Sequence, residues 1–293
     1  MKKINVTIPN QSCAGIGDCI VLAWIANGPE PLEFWAGNPG DGTGQGGRNR
    51  EMLELLGCRL SDNPDGAINP HGCYSRELGE RGRRPRVQIW CDVLGIPCEP
   101  KRPTVGIESQ GIMRRRVALC PHTTFKSRAW PESYWVDLCW ALRGRNIQPF
   151  WLFAHEDQVL KNPTGPTMSY WGYGMRQVAE MLASSAVVIG VDSMPAHLAG
   201  TIGRPTIALM GPTEPGCVFD HLPDVLPMQA EGLACVGCHF AGGPGLYRAA
   251  CDMACQGLMR VYPQDVADTV EFMVDKLDAA SRRGIPEAVS AES

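Results

Sequence analysis

The sequence lacks a long apolar run, an excess of basic residues and a leader segment. No stretch approaches the roughly 18 apolar residues that a membrane span requires, and the lysines at positions 2 and 3 precede no apolar region of the kind found in signal peptides. Lysine and arginine total 27 against 31 acidic residues, which gives a net charge of −4. The chain therefore lacks the excess of positive charge that attracts the phosphates of nucleic acids. These absences predict a cytoplasmic protein with no transmembrane segment and no nucleic-acid partner.

The chain is long enough for two domains and is rich in turn-forming residues. Its 293 residues include 33 glycines and 24 prolines, which favours tight turns and ligand-facing loops over long helical bundles. The 13 cysteines are an odd number. Because no export signal precedes them, we expect reduced thiols or metal ligands in place of disulfides.

Short apolar runs with strand character alternate with segments of helical period, the pattern of parallel sheets covered by helices. In the second half this pattern predicts strands at 117–120, 147–154, 187–191 and 206–210, and helices at 131–144, 175–184 and 194–202. The first half begins in the same way, with predicted strands at 4–8 and 32–36 and a helix from about Asp18. The fold class is therefore α/β.

A proline-containing basic stretch with no apolar period separates the two halves. We predict an N-terminal domain at 1–105, a linker at 106–116, a C-terminal domain at 117–280 that includes a cysteine-rich segment at 235–255, and a flexible tail at 281–293.

One strand-to-helix junction of the second half has the features of an anion site. Asp192, Ser193 and Met194 follow the predicted strand, and His197 falls within the first helical turn. Free N–H groups and the helix dipole at such an N-terminus favour a phosphate, Asp192 or Ser193 can cap the helix, and His197 can donate a hydrogen bond. A plain capped junction with a packed histidine explains the same residues equally well.

This junction and its surroundings resemble glycosyltransferase family 9, the ADP-heptose:lipopolysaccharide heptosyltransferases. The similar segments are Asp192 to Ala199, Gly203 to Thr206, Gly211 to Thr213, Thr123-Thr124, Trp130-Pro131-Glu132 and Gly15-Ile16-Gly17-Asp18. Met194 stands where the family motif usually has glycine, which places the sugar specificity in question. The resemblance covers residues 119–215 well and the first half sparsely.

The resemblance implies a GT-B architecture, in which two Rossmann-like domains face across a cleft. It also implies inverting transfer of heptose or a similar sugar from an ADP-sugar to a hydroxyl of a glycan, a lipid-linked glycan or a protein, with Asp18 as the general base. Asp18 as a simple helix cap is the alternative. The donor-binding residues carried over by position, together with nearby candidates, are Thr123, Thr124, Lys126, Arg128, Glu156, Asp192, Ser193, Met194 and His197.

Four cysteines have the spacing of a metal site: Cys235, Cys238, Cys251 and Cys255. Four thiolates favour tetrahedral zinc or iron, and a closed site of this kind is structural because it leaves no open position. Reduced thiols in a loop are the alternative. The cluster is also similar to what looks like an iron-binding finger in autotransporter heptosyltransferases.

Two other function classes compete with a transferase. A non-catalytic sugar-nucleotide-binding or metal-organised assembly protein would keep the binding residues without turnover. A nicotinamide-dependent oxidoreductase requires a third glycine where this chain has Ile20. The glycine-rich stretch 37–47 is interpreted as a flexible loop that closes on the acceptor or merely connects two elements. The small first half favours a smaller acceptor than a lipid-linked core, and homo-oligomerisation stays open.

Overall fold

In the computed structural model the chain forms two parallel β-sheets with helices packed against them. The structure describes residues 4–7, 16–30, 32–36, 45–62, 65–70, 84–108, 111–123, 125–153, 169–170, 172–233, 235, 237–238 and 255–283.

The first half contains a three-stranded sheet. Its strands are β1 (Ile4–Thr7), β2 (Leu32–Trp35) and β3 (Arg59–Leu60), in that spatial order. Its helices are α1 (Ile16–Ala26), α2 (Gln45–Leu55) and α3 (Arg86–Leu94). A parallel bridge between Val6 and Ile68 gives β1 a further partner. β1, the strand that precedes α1 in the sequence, is therefore paired with β2 and bridged to Ile68.

The second half contains a six-stranded parallel sheet. Its strands are β4 (Met113–Cys120), β5 (Gln148–Leu152), β6 (Ser169–Tyr170), β7 (Ser185–Val191), β8 (Thr206–Met210) and β9 (Val225–Gln229). Their spatial order is β6-β5-β4-β7-β8-β9. The strand order reverses between β4 and β7, and ligands of such sheets bind outside the carboxyl ends of the strands at this switch point.

Helices of the second half cover this sheet. They are α4 (Glu132–Gly144), α5 (Met175–Ala183), α6 (Met194–Ile202), α7 (Pro215–Val218), α8 (Gln256–Met259) and α9 (Pro263–Arg282), with a 3₁₀ turn at Lys126–Arg128. The longest, α9, buries one apolar face that includes Val266 and Val270. Within the described ranges, no helix is both long and apolar enough to cross a membrane.

The predicted helices and strands of the second half are confirmed to within a few residues, and the largest difference is at β4. This strand begins at Met113, four residues earlier than predicted, so part of the basic run lies in the sheet. The arginines are accommodated because they have partners: Arg115 lies 3.2 Å from Asp278, and the guanidinium of Arg116 lies 4.3 Å from the ring centre of Phe150. The domain boundaries remain a prediction.

One apolar core joins the two sheets. It contains Phe34 and Trp90 from the first half together with Val188 and Leu198 from the second. A second core, which includes Trp135, fills the space between the six-stranded sheet, α4 and α9. Because the first core is continuous, the two halves are packed against each other directly.

Buried and partly buried polar groups cross the same junction. The Trp24 indole N–H donates to Thr201 Oγ1 over 2.9 Å in a buried hydrogen bond. Arg102 lies over the Trp24 ring at 5.7 Å and forms an ion pair with Asp224. Trp24 belongs to α1, which follows β1, and Thr201 belongs to α6, which follows β7. The Trp24–Thr201 hydrogen bond therefore connects one helix of each half.

A side chain of the first half also caps a helix of the second. Glu51 of α2 accepts a hydrogen bond from the Met175 backbone N–H over 2.7 Å, and Met175 is the first residue of α5. A carboxylate at this end of a helix is stabilised by the free N–H groups and the helix dipole. Arg176, the second residue of α5, also donates a hydrogen bond to the Gly106 carbonyl.

We expect Thr201→Val to lower the free energy of unfolding by about 1–3 kcal/mol, because it leaves a buried indole N–H without its acceptor. Thr269→Val is the matched control, since Thr269 makes its hydrogen bond on the exposed face of α9. Chemical denaturation measures both variants, and equal free energies of unfolding would show that the hydrogen bond between the halves contributes nothing.

Candidate functional site

The first turns of α1 and α6 lie against each other. A Cβ added to Gly17 would stand 3.5 Å from His197 Cδ2 and 4.0 Å from the Met194 Cα. The backbone of α1 at Gly17 therefore approaches His197 and the start of α6 closely. The positive ends of two helix dipoles, one from each half, therefore meet at one place, at the switch point of the larger sheet.

Asp18 lies in the first turn of α1 and is 8% exposed. Its Oδ1 accepts a hydrogen bond from Arg86 Nη1 over 2.8 Å. Arg86, the first residue of α3, was not identified from the sequence. Its only sequence signal is its place after Pro85 at the start of an apolar-period helix, and this does not distinguish it from the neighbouring arginines. Asp18 is thus half of a largely buried ion pair.

Asp192 follows β7 and is also buried. Arg128 Nη1 lies 3.2 Å from Asp192 Oδ2 and donates to the Asp192 carbonyl over 3.2 Å. His197 Nε2 lies 3.7 Å from Oδ1. Burial alone raises the pKa of this carboxyl, but the charge of Arg128 and the nearby His197 outweigh burial and lower it well below its usual value. Asp192 is therefore ionised, and the cationic group of Arg128 is already engaged with it.

His197 lies one turn into α6 and is 2% exposed. Its ring centre lies 4.5 Å from that of Phe219. Burial, aided by the charge of Arg86, lowers the pKa of His197, and the acidic groups of Asp192 and Asp18 offset this only in part. The imidazole is therefore neutral. Its buried Nδ1 has no hydrogen-bond partner in the described part of the chain.

His221 is a second buried histidine that was not identified from the sequence. Its ring meets Trp24 edge-on at 5.4 Å between ring centres. Burial lowers its pKa to about 3, and the neighbouring His197 and Arg86 act in the same direction. No spacing or motif marks His221, because its position depends on the packing of the two halves.

Several buried polar atoms around the start of α6 have no hydrogen-bond partner among the described residues: Ser193 Oγ, His197 Nδ1, Thr213 Oγ1 and His221 Nε2. Buried polar atoms are rarely left in this state, and each calls for a water, an ion or a ligand group. Ser193 occupies the N-cap position with an extended backbone, but its hydroxyl makes no capping hydrogen bond, contrary to expectation. The start of α6 therefore has no side-chain cap from Ser193.

Of the remaining predicted donor residues, Thr123, Lys126 and Met194 are described. Thr123 Oγ1 accepts a hydrogen bond from the Phe125 backbone N–H over 3.3 Å, Lys126 is exposed on the 3₁₀ turn, and Met194 is the first residue of α6. Thr124 and Glu156 lie outside the described residues, as do residues 37–44 of the glycine-rich stretch.

Three of the four candidate metal-ligating cysteines are described, and Cys251 is not. The Gly237 N–H, between Cys235 and Cys238, donates to the Gly211 carbonyl over 3.4 Å. A Cβ on Gly211 would stand 2.7 Å from Cys255 Sγ. Both cysteine segments therefore approach Gly211, but no three potential ligands in the described ranges are grouped closely enough to hold a metal ion.

The motif resemblance is confirmed over part of the chain. Residues 99–219 match the model of glycosyltransferase family 9 (heptosyltransferase). Lipopolysaccharide heptosyltransferase 1 of Escherichia coli O18:K1:H7 (strain RS218 / NMEC) is 31% identical over 120 residues, which are 38% of this chain and 35% of that protein. The chain thus matches about a third of the length of such curated relatives.

Solved structures are similar over nearly the whole chain. The ADP-heptose lipopolysaccharide heptosyltransferase II of E. coli has a TM-score of 0.56 at 14% identity, covering 94% of this chain and 100% of that one. The dodecameric iron-containing heptosyltransferase TibC of enterotoxigenic E. coli, in complex with ADP-D-beta-D-heptose, has a TM-score of 0.63 at 14% identity, covering 95% and 76%. These likenesses confirm the predicted GT-B fold. The cysteine-rich metal-binding insertion stays a prediction.

His221 should make the free energy of unfolding depend on pH. In the unfolded chain its imidazole binds a proton below about pH 6.5, whereas in the folded protein it does so only near pH 3. The contribution of His221 to the free energy of unfolding is therefore complete above pH 6.5 and decreases as the pH falls towards 3. At pH 5 the free energy of unfolding is lower by about 2 kcal/mol than above pH 6.5. We expect His221→Gln to reduce the slope between pH 7 and 5, measured by chemical denaturation. Parallel slopes for variant and wild type would contradict this assignment.

Proposed function

We propose that this chain is an inverting glycosyltransferase that transfers heptose or a similar sugar from an ADP-sugar to an acceptor hydroxyl. The observation that carries the proposal is the meeting of the first turns of α1, which contains Asp18, and α6, whose N-terminus we propose as the anion site. The matched relatives and solved structures are heptosyltransferases by name, which supports the same chemistry.

The diphosphate of the donor binds at the start of α6. The dipole of this helix attracts negative charge, and the unpartnered Ser193 hydroxyl adds a neutral hydrogen-bond donor. His197 would line the same site, as the sequence predicts. Arg128 is engaged with Asp192, so the exposed Lys126 is the better-placed cation of that turn for the leaving diphosphate. Thr123 and Thr124 would face the phosphates and Glu156 the ribose hydroxyls, as the sequence predicts.

The reaction is a single displacement. The acceptor oxygen attacks the anomeric carbon, the bond from that carbon to the diphosphate oxygen breaks, and ADP leaves from the opposite face with the bonding electron pair. Asp18 takes the proton of the attacking hydroxyl, which is the role of a general base. The helix N-terminus stabilises the charge on the leaving group.

The acceptor and its cellular context remain proposals of the same kind. The acceptor is a glycan, a lipid-linked glycan or a protein, and the enzyme works in the cytoplasm. TibC is described as dodecameric, and we extend to this chain only the proposal of a homo-oligomer.

A structural metal at the four cysteines remains part of the proposal, although the described residues alone do not make a site. The approach of Gly237 and Cys255 to the same glycine supports it, and TibC is described as iron-containing. A bound zinc or iron ion would tie these two segments together. No step of the transfer uses it.

Asp18→Asn keeps the size of the side chain but removes the proton acceptor, so we expect the rate of transfer from ADP-heptose to fall by about 10²–10⁴-fold. The affinity for ADP should barely change, because the nucleotide is held by α6. Steady-state transfer assays and calorimetry with ADP measure the two quantities.

Asp92→Asn is the control, because Asp92 is a helical acid whose partner Arg84 lies on the exposed surface. His197→Ala should give the converse result, with weakened ADP binding. Turnover by Asp18→Asn near the wild-type rate would exclude Asp18 as the base, and wild-type protein that binds ADP-sugars without transfer would favour the non-catalytic binding protein.

Elemental analysis should find one zinc or iron ion per chain, and the double variant Cys235→Ser/Cys238→Ser should lose it because half the thiolates are removed. Cys58→Ser is the control, since Cys58 precedes β3 in the other half of the chain. Wild-type protein without stoichiometric metal would remove the metal from the proposal.

A further inference from the structure

Arg86 lies inside the polar cluster at the start of α1. Its Nη1 is 2.8 Å from Asp18 Oδ1, and the side chains of Arg86 and Asp18 are only 11% and 10% exposed. It reaches this position from α3, in the same half of the chain as Asp18 but 68 residues away.

A carboxylate removed from water is unfavourable unless a partner compensates its charge. Arginine suits this task because its guanidinium stays protonated and donates in a planar, directional geometry. The Arg86 guanidinium also lies 5.8 Å from the ring centre of Trp90, one turn along the same helix, and Trp90 is fully buried. The orientation of the cation is thus restricted from one side by an aromatic ring and from the other by Asp18.

We propose that Arg86 is a positioning residue for the transfer reaction, which holds the Asp18 carboxylate oriented to take the acceptor proton. This inference rests on the proposed function and adds to it a residue that no motif marks. Arg86 touches neither donor nor acceptor in this scheme, and its effect on the rate passes through Asp18.

The charge of Arg86 also acts on the two buried histidines. His197 and His221 both have a lowered pKa, to which burial contributes most and Arg86 contributes in the same direction. Arg86 therefore helps to keep these rings neutral while it pairs with the acid. A neutral ring beside Asp18 does not compete with Arg86 for the carboxylate as an imidazolium would.

The test is a double-mutant cycle on Asp18→Asn and Arg86→Gln. Starting from wild type, Arg86→Gln should lower kcat by about 10²-fold, since a misplaced catalytic group costs this much, while the KM for ADP-heptose and the Kd for ADP change little. In the Asp18→Asn background the same substitution should change kcat by no more than about twofold, because residues that act as a unit are not additive.

Arg86→Lys keeps the charge and should recover part of the lost rate. Arg84→Gln is the control, since Arg84 belongs to the same segment but pairs with Asp92 on the exposed surface, and it should retain wild-type kcat. If Arg86→Gln alone folds poorly, the double variant, which removes both charges of the pair, and Arg86→Lys still provide the comparison.

An equal loss of kcat in both backgrounds, or a loss that appears in ADP binding, would overturn the positioning role and assign Arg86 to the fold or to the donor site. If the wild type is active and Arg86→Gln has the same kcat, this inference alone is overturned and the proposed function stands. Wild-type protein with no turnover would overturn the proposed function and the inference with it.

Discussion

The contact between the first turns of α1 and α6 is the constraint on which the candidate site depends. The two helices are close at Gly17, since a Cβ at that position would already be in van der Waals contact with the ring of His197. Through this contact Asp18, which follows in α1, comes near residues that belong to the opposite half. The shared apolar core and the Trp24–Thr201 hydrogen bond hold the two helices in this arrangement.

The charges of the site are arranged in separate pairs. Asp18 is paired with Arg86, and Asp192 is paired with Arg128, each within hydrogen-bonding or ion-pair distance. Near the start of α6, four neutral groups have an atom without a partner among the described residues: the hydroxyls of Ser193 and Thr213 and one ring nitrogen each of His197 and His221. An anionic ligand at the start of α6 would therefore meet a helix dipole and neutral hydroxyl donors, while Arg86 and Arg128 stay paired with the two carboxylates.

The sequence predicted the second half well because local signals agree there. The apolar period, the prolines that begin helices and the motif around Asp192 all point to the observed strands and helices, and α6 has the predicted bounds. The same signals did not reveal Arg86 or His221, since both reach the site through contacts between distant segments. The absent Ser193 cap has a similar origin. A capping residue type indicates what a side chain is able to do, whereas tertiary packing decides whether it does so.

The shared core bears on how such proteins can be recombined. In many two-domain folds the halves meet through a polar, wet surface and can be exchanged between relatives. Here, an exchange at the boundary would separate Phe34 and Trp90 from Val188 and Leu198, and would separate Arg102 from Asp224. In a functional chimera built from this chain, the half taken from the other parent must therefore present an apolar surface that matches the half that is kept. New specificity is then easier to introduce through the loops that follow the strands than by replacing a whole half.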